Sequence, residues 1–290
     1  MVRNRSPQKA PKAPLFTPVL LVGCIIVLVS FGIRASFGVF QIPIAAEFGW
    51  LRSEFSMAIA IQNLAWGIGQ PVFGALAERI GDRRAIVIGA FVYAAGLVLS
   101  SWAISPEAHQ LYEILVGFGI AGTGFGVVLA VVGRASTDEN RSMALTMVTV
   151  AGSVGQIVGP PLAEWMLSFA SWQTTFLVFA ATVLATLLLL PMMRAPAVSR
   201  AELEESMAAI LGRAFRDPSY TLIFLGFFSC GYPLGFITAH FPAMITEASA
   251  AIDPLGLLAR LGLTTPSALG ALSVILHLPI RERREIAGGI

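Results

Sequence analysis

The sequence predicts an all-α membrane protein in which a complete bundle of six spanning helices is followed by the start of a second bundle. Of its 290 residues, 56% are hydrophobic and only 12% are charged, and the mean hydropathy is +0.77. A soluble domain carries about 25% charged residues, so lipid must cover most of this surface. The net charge of +2 gives no electrostatic support to a nucleic-acid partner.

Seven apolar stretches are long enough to cross a bilayer, which takes about 20 helical residues. The predicted spans cover residues 17–42, 54–78, 84–104, 111–133, 142–167, 172–193 and 219–245, and a shorter eighth covers 264–280. The predicted domains are a disordered tail (1–14), the six-helix bundle (15–193), a polar linker (194–218), the start of the second bundle (219–280) and a charged tail (281–290). Within the linker, residues 199–212 are predicted as a surface helix.

The positions of the basic residues predict the orientation. The chain has 19 basic residues, and all but Arg34, Arg52 and Arg260 lie in the N-terminal tail, in alternate loops, in the linker or in the C-terminal tail. This bias predicts a multi-pass protein of the cell (inner) membrane with a cytoplasmic N-terminus and a cytoplasmic linker.

Spans 1 and 4 contain similar sequences, which indicates an internal repeat. Residues 31–39 read Phe-Gly-Ile-Arg-Ala-Ser-Phe-Gly-Val, and residues 118–127 read Phe-Gly-Ile-Ala-Gly-Thr-Gly-Phe-Gly-Val. We therefore predict that the first bundle consists of two three-helix inverted repeats. Span 7 resembles span 1 more faintly and is predicted to begin the second bundle.

The segment from Gly74 to Arg84, called here the signature segment, joins spans 2 and 3. Five charges fall within its last seven residues, with apolar sequence on both sides. This pattern predicts a tight loop at the membrane surface. Gly74 would let span 2 approach a neighbouring helix closely, and Glu78 would interact with a helix N-terminus. The plain alternative is an ordinary positively charged loop.

Span 5 contains a glycine stripe that ends in two prolines. Gly155 and Gly159 lie one turn apart and predict a groove for another helix, and Pro160 removes a backbone hydrogen bond and bends the helix. The alternative is simple helix packing.

Arg34 is the main candidate for binding a ligand. It lies about 15 residues into span 1, about 22 Å along the helix, where a cation normally faces a cavity or a partner. We expect no carboxylate within a span to pair with it. An unpaired guanidinium suits an anion and binds a carboxylate through two parallel hydrogen bonds. The alternative is that Arg34 extends to the headgroups.

Other polar residues within the spans are candidates for the lining of a binding cavity. Gln62 and Gln70 lie on one stripe of span 2 with Trp66 midway. Each of these side chains could equally bond a neighbouring helix, and His240 is a candidate for proton coupling. The full predicted set of substrate-binding residues is Arg34, Gln41, Gln62, Gln70, Tyr232 and His240.

The signature segment resembles the loop between helices 2 and 3 of the major facilitator superfamily of secondary transporters, and the Gly-Pro stretch resembles that family's fifth helix. Residues 32–40, 131–134, 153–156 and 235–242 resemble its oxalate/formate antiporter and monocarboxylate transporter branch. The resemblance implies small organic anions as substrates, moved by alternating access. It implies conformational roles for Gly74, Glu78, Arg79, Gly81 and Arg83, and a gating role for Gly155, Gly159 and Pro160.

This resemblance also implies twelve spans, whereas the present sequence ends in the eighth. We therefore expect a C-terminally truncated form that does not transport alone. The coupling ion, a proton or a counter-anion, is left open. The alternatives are a seven-helix receptor or sensor and, with less support, a membrane-embedded enzyme. No catalytic residue, metal site or cofactor is predicted.

Overall fold

The computed structural model describes residues 15–194 and 212–252, and these residues are almost entirely helical. The predicted N-terminal tail, most of the linker and the eighth span lie outside the described residues. The helices are α1 (Pro18–Ser36), α2 (Gln41–Phe48), α3 (Arg52–Ile80), α4 (Asp82–Ser100), α5 (Pro106–Thr123), α6 (Phe125–Ala135), α7 (Asp138–Leu167), α8 (Trp172–Thr186) and α9 (Pro218–Ile252). Two 3₁₀ segments, Phe37–Phe40 and Leu187–Met192, extend α1 and α8.

Each of the seven predicted spans coincides with helix. Five segments are long and apolar enough by themselves to cross a membrane, namely Pro18–Phe48, Asp82–Ser100, Pro106–Ala135, Asp138–Leu167 and Trp172–Met192. With 29 residues, α3 is also long enough. Its polar side chains lower its hydropathy, and Gln62 among them is buried inside the bundle.

Local sequence fixes where several helices begin. The Oγ1 of Thr17 accepts a hydrogen bond from the backbone N–H of Leu20 at 3.2 Å, and Pro18 follows as the first residue of α1. Ser105 and Ser171 cap α5 and α8 in the same way. Such caps satisfy N–H groups that have no partner within the helix.

Three long helix contacts organise the described bundle, of which α4 packing along α5 is one and the other two form an equivalent pair. α1 packs along α7, and α3 packs along α5. Span 1 therefore pairs with span 5, and span 2 pairs with span 4. Exchanging spans 1–3 with spans 4–6 in order converts one pair into the other. The two contacts are therefore equivalent under the two-fold relation that the predicted repeats require.

Both contacts depend on glycine. A Cβ atom added to Gly155 or Gly159 of α7 would overlap the backbone oxygen of Leu28 or Gly32 on α1. Likewise, a Cβ on Gly117 of α5 would overlap the backbone oxygen of Gln62 on α3. Without side-chain bulk the backbones come into direct contact, as is common where membrane helices cross.

The fourth span is not one continuous helix. α5 ends at Thr123, Gly124 has an extended conformation (φ −93°, ψ −163°), and α6 begins at Phe125 with no side-chain cap. The first backbone N–H groups of α6 therefore start inside the bundle, and the N-terminus of a helix carries a partial positive charge.

The buried apolar side chains form two clusters. One contains Phe37, Phe40 and Phe176, and the other contains Val27, Ile86 and Val131. Trp66 packs against both clusters, so the middle of α3 lies at their junction. The helix α9 packs against the first 3₁₀ segment and α3, and its Ala239 belongs to the first cluster.

Candidate functional site

Arg34 lies inside the bundle at the junction of the two apolar clusters, and only 4% of its surface is exposed. Its Nη2 donates a hydrogen bond to Oδ1 of Asn63 on α3 at 2.7 Å. Its Cζ lies 4.6 Å from the ring centroid of Trp66, so the cation also faces an aromatic ring. The alternative that Arg34 extends to the headgroups is wrong.

The donors around Arg34 outnumber the acceptors. Within the described part of the chain, Nε and Nη1 of Arg34 and Nε1 of Trp66 are buried and have no hydrogen-bond partner. All three are donors only, and they belong to side chains in contact with each other. Buried donors without an acceptor are costly, so this place has the chemistry of a site for a ligand that supplies oxygen acceptors.

The break in the fourth span adjoins the same region. Phe31 of α1 lies edge-on to Trp66 and 4.2 Å, between ring centroids, from Phe125, the first residue of α6. Gln70 of α3 lies against Gly126, since a Cβ on that glycine would overlap Oε1 of Gln70. Phe31 thus lies between Trp66, which faces Arg34, and the first residue of α6.

Two of the other predicted binding residues, Gln41 and Gln62, bond to groups other than Arg34. Gln41 donates to Oγ of Ser56 at 3.1 Å and so links α2 to α3. Gln62 donates to Glu113 at 2.7 Å. His240 is partly buried beside Phe236 on α9. The side chain of Tyr232 lies outside the described residues. These positions support helix contacts for Gln41 and Gln62, and the remaining assignments stay predictions.

The expectation of no carboxylate within the spans is wrong. Glu113 lies on α5 with 0% of its surface exposed. Its Oε2 accepts a hydrogen bond from Gln62, and its Oε1 accepts one from Oγ of Ser100 at 3.0 Å. Sequence reasoning missed Glu113 because it stands third in the predicted fourth span, where a residue is easily assigned to the interface. The apolar sequence on its C-terminal side was the available signal.

Asn63 was also missed. It follows Gln62, which was predicted, and it lies three residues before Trp66. Residues three apart share one face of a helix, so Asn63 lies on the same face of α3 as Trp66. Its amide nitrogen donates back to the carbonyl oxygen of Ile59 at 2.9 Å, which turns its own oxygen toward Arg34.

The signature segment is mostly helical, and its only break is Gly81, whose φ of +95° favours glycine. Arg83 donates from Nε to the carbonyl oxygen of Met193 at 2.7 Å and from Nη2 to that of Pro191 at 2.9 Å. Asp82 pairs with Arg134 at the end of α6. Glu78 and Arg79 are exposed. A Cβ on Gly74 meets nothing within 4 Å among the described residues, so the predicted close helix approach is not found there.

The proposed gating residues belong to the contact between α1 and α7. Gly155 and Gly159 contact the backbone of α1, and Pro160 lies within α7, which continues from Asp138 to Leu167. The predicted groove is thus confirmed as a helix contact inside this bundle, and the gating role stays a prediction.

Similar proteins place the chain among transporters. It is 27% identical over 242 residues to the "Uncharacterized MFS-type transporter YcxA" of Bacillus subtilis. This match covers 81% of this chain and 57% of that protein. It is 30% identical over 152 residues to "Monocarboxylate transporter 13" of Bos taurus, which covers 52% of this chain and 35% of that protein. The chain therefore spans only about half, or less, of the length of these relatives.

Solved structures share the fold. The inward open xylose transporter XylE from E. coli matches with a TM-score of 0.57 and 16% identity, over 89% of this chain and 66% of that chain. Residues 22–284 match the family described as the Major Facilitator Superfamily. With the helical bundle and the signature segment, this match shows that the chain is a multi-pass membrane protein and belongs to the major facilitator superfamily of transporters.

Proposed function

We propose that this chain provides the first bundle of a secondary transporter for small organic anions of the oxalate, formate or monocarboxylate type. The observation that carries the proposal is the group of three buried donors without acceptors, Nε and Nη1 of Arg34 and Nε1 of Trp66. A carboxylate has two oxygens and about four lone-pair directions, so one carboxylate group could satisfy several of these donors at once.

The surroundings of Arg34 favour an anion over a neutral ligand. Asn63 accepts one hydrogen bond from Arg34 but carries no charge, so the guanidinium keeps its full positive charge. The fully buried carboxylate of Glu113 is held by Gln62 and Ser100, and no ion pair with Arg34 is found among the described residues. A buried cation in a membrane is costly by at least a few kcal/mol, and a bound anion would offset that cost.

One of the sequence relatives supports the same class of substrate. The bovine relative is named a monocarboxylate transporter. Alternating access requires a second bundle against which the first one moves. We therefore also propose that the 290-residue chain alone does not transport, which uptake of labelled formate or lactate into proteoliposomes would contradict.

The membrane and the orientation are part of the proposal. The excess of arginine near the signature segment and Arg134 supports a cytoplasmic position for that end of the bundle, in the inner membrane of a cell. A reporter fused near residue 12 that becomes active only outside the cytoplasm would overturn this orientation.

Binding to the purified full chain tests the anion site directly. In detergent solution, titration calorimetry with formate, lactate and oxalate should detect binding that Arg34→Gln weakens at least about tenfold, which corresponds to 1.4 kcal/mol. Trp66→Phe keeps an aromatic ring and removes one donor, so we expect a smaller loss of affinity.

Arg84→Gln is the matched control, because Arg84 is an exposed arginine with no hydrogen bond among the described residues. It should leave affinity unchanged. Equal binding of the anions to the parent chain and to Arg34→Gln would overturn the proposal, and so would equal binding of a neutral sugar.

A further inference from the structure

A second buried polar cluster lies beside the Arg34 site and takes no part in the proposed anion binding. It consists of Glu113 and His109 on α5, Gln62 on α3 and Ser100 on α4. Glu113 and His109 are 0% and 1% exposed, so water does not solvate either group. Both oxygens of Glu113 accept hydrogen bonds, but the two donors, Gln62 and Ser100, are neutral.

His109 completes the cluster without bonding to it. It precedes Glu113 by one helical turn on the same face of α5, and its Nε2 lies 3.9 Å from Oε1 of Glu113. That nitrogen is buried and has no hydrogen-bond partner in the described chain. An approach of about 1 Å would bring the nitrogen and the oxygen into hydrogen-bond distance. The O–H bond of a protonated Glu113 would point across this gap toward the nitrogen of His109.

The charges around Glu113 leave it without a direct counter-ion. On α4, the buried Tyr93 is titratable, and its hydroxyl donates to the carbonyl oxygen of Ser30 on α1. On α8, the ring of Phe176 lies 6.5 Å from that of His109, and α8 has no charged residue. On α3, Gln62 is the polar neighbour of Glu113, and Phe55 stacks on His109. A bound proton would neutralise the carboxylate that these groups leave unpaired.

We propose that Glu113 and His109 form a proton-binding site inside the bundle, in which Glu113 carries the proton on Oε1 and His109 accepts its hydrogen bond through Nε2. The step is a simple transfer. A proton leaves water and forms an O–H bond on the carboxylate, and its release reverses the same step. An ionisable group buried within a membrane span is costly and is a candidate functional site by default.

This site lies near one end of the bundle. α5 begins at Pro106 after the cap at Ser105, and Glu107 in its first turn is exposed. His109 follows two residues later, about 3 Å along the helix axis, and Glu113 lies about 9 Å from Glu107. His109 therefore stands between the carboxylate and the exposed start of the helix.

Infrared difference spectroscopy of the full chain in lipid nanodiscs tests this site without any anion, so its outcome does not depend on the binding proposed for Arg34. The pH is stepped from about 6 to about 10, above the ordinary carboxyl pKa values of about 4, so that exposed acidic residues stay ionised throughout. We expect a carbonyl stretching band of a protonated carboxylic acid that disappears as the pH rises. Glu113→Gln should remove that band, and His109→Asn should shift its frequency because the hydrogen-bond acceptor changes.

Glu164→Gln is the matched control, since Glu164 is a partly exposed glutamate within α7, a helix that contributes no residue to the cluster. It should leave the Glu113 band in place. A band that persists in Glu113→Gln would overturn the proposal, as would a band whose frequency His109→Asn does not change. If Glu113→Gln fails to fold, the His109→Asn shift in the folded protein decides the question.

The fluorescence of Trp50 separates the two possible proton carriers, because its ring lies 5.8 Å from that of His109. A charged imidazole quenches a neighbouring indole. Quenching that is lost in Trp50→Phe and follows pH while the carboxylic acid band is absent would place the proton on His109, and that result would contradict the proposal.

Discussion

Glycine has different structural roles in the signature segment and in the contact between α1 and α7. Along α7, Gly155 and Gly159 touch the backbone of α1, and no side chain would fit there. In the signature segment, a Cβ on Gly74 would meet no atom of the described residues within 4 Å, and the contacts come from the charged groups of Asp82 and Arg83. The α1–α7 contact therefore builds the bundle, whereas Gly74 is not needed to build it. Any requirement for a small residue at Gly74 must then arise outside this bundle.

The largest effect is expected where glycine carries the packing. Gly159→Ala places a methyl group against the backbone oxygen of Gly32, and such overpacking costs about 1–3 kcal/mol, occasionally more. We expect a value near the upper limit, because backbone cannot move aside as a flexible side chain can. Thermal unfolding of the purified chain in detergent measures the loss.

Gly74→Ala is the matched control for that experiment. Alanine favours helix over glycine by about 1 kcal/mol, and the added methyl group meets no described neighbour. Its unfolding temperature should therefore stay unchanged or rise. Similar destabilisation by both substitutions would abolish the distinction between the two regions.

A smaller effect is expected from Arg83. Arg83→Gln removes two hydrogen bonds to the carbonyl groups that end the second 3₁₀ segment, at Pro191 and Met193. Because Arg83 is exposed, water compensates part of the loss, and we expect about 1 kcal/mol. Hydrogen exchange should show faster opening of the Leu187–Met192 segment in this variant. Arg84→Gln should leave that exchange unchanged, and equal acceleration in both variants would mean that the effect is one of charge alone.

The smallest effect is expected from the ion pair of Asp82 with Arg134. Both side chains are partly exposed, at 17% and 28%, and such pairs contribute about 0.2–1 kcal/mol. A double-mutant cycle with Asp82→Asn and Arg134→Gln measures the coupling through unfolding temperatures, and it should weaken at high salt. A coupling that is large and independent of salt would show that charged groups hold this region as firmly as glycine holds the other.

The sequence predicted the parts of this fold that depend on length and hydropathy. All seven described spans follow from runs of about 20 apolar residues, and Arg34 was evident because a single charge interrupts such a run. The break at Gly124 could not be predicted, because glycine within an apolar span is equally compatible with helix packing, as at Gly117. Glycine alone does not show whether a backbone bends or only approaches its neighbour.

Partners of polar residues were harder to predict than their positions. Gln62 was correctly placed on a stripe of α3, but only the structure shows that its amide bonds to Glu113 instead of lining the site of Arg34. The rotation of one helix relative to the next decides such pairings, and periodicity within one helix does not contain it. Glu113 also shows that the spans contain a buried acid, so the case for a transporter over a membrane-embedded enzyme rests on the family assignment.

Two consecutive residues of α3 hold the two opposite charges of the interior: Gln62 bonds to Glu113 and Asn63 bonds to Arg34. With Glu113 ionised, the charges of Glu113 and Arg34 sum to zero. One monovalent anion at Arg34 would leave a net charge of −1, and one proton on Glu113 would return the sum to zero. With both the anion and the proton bound, a conformational change would move no net charge across the membrane and would need no electrical work. With the anion alone, the membrane potential would drive or oppose the change by about 2.3 kcal/mol per charge at 100 mV.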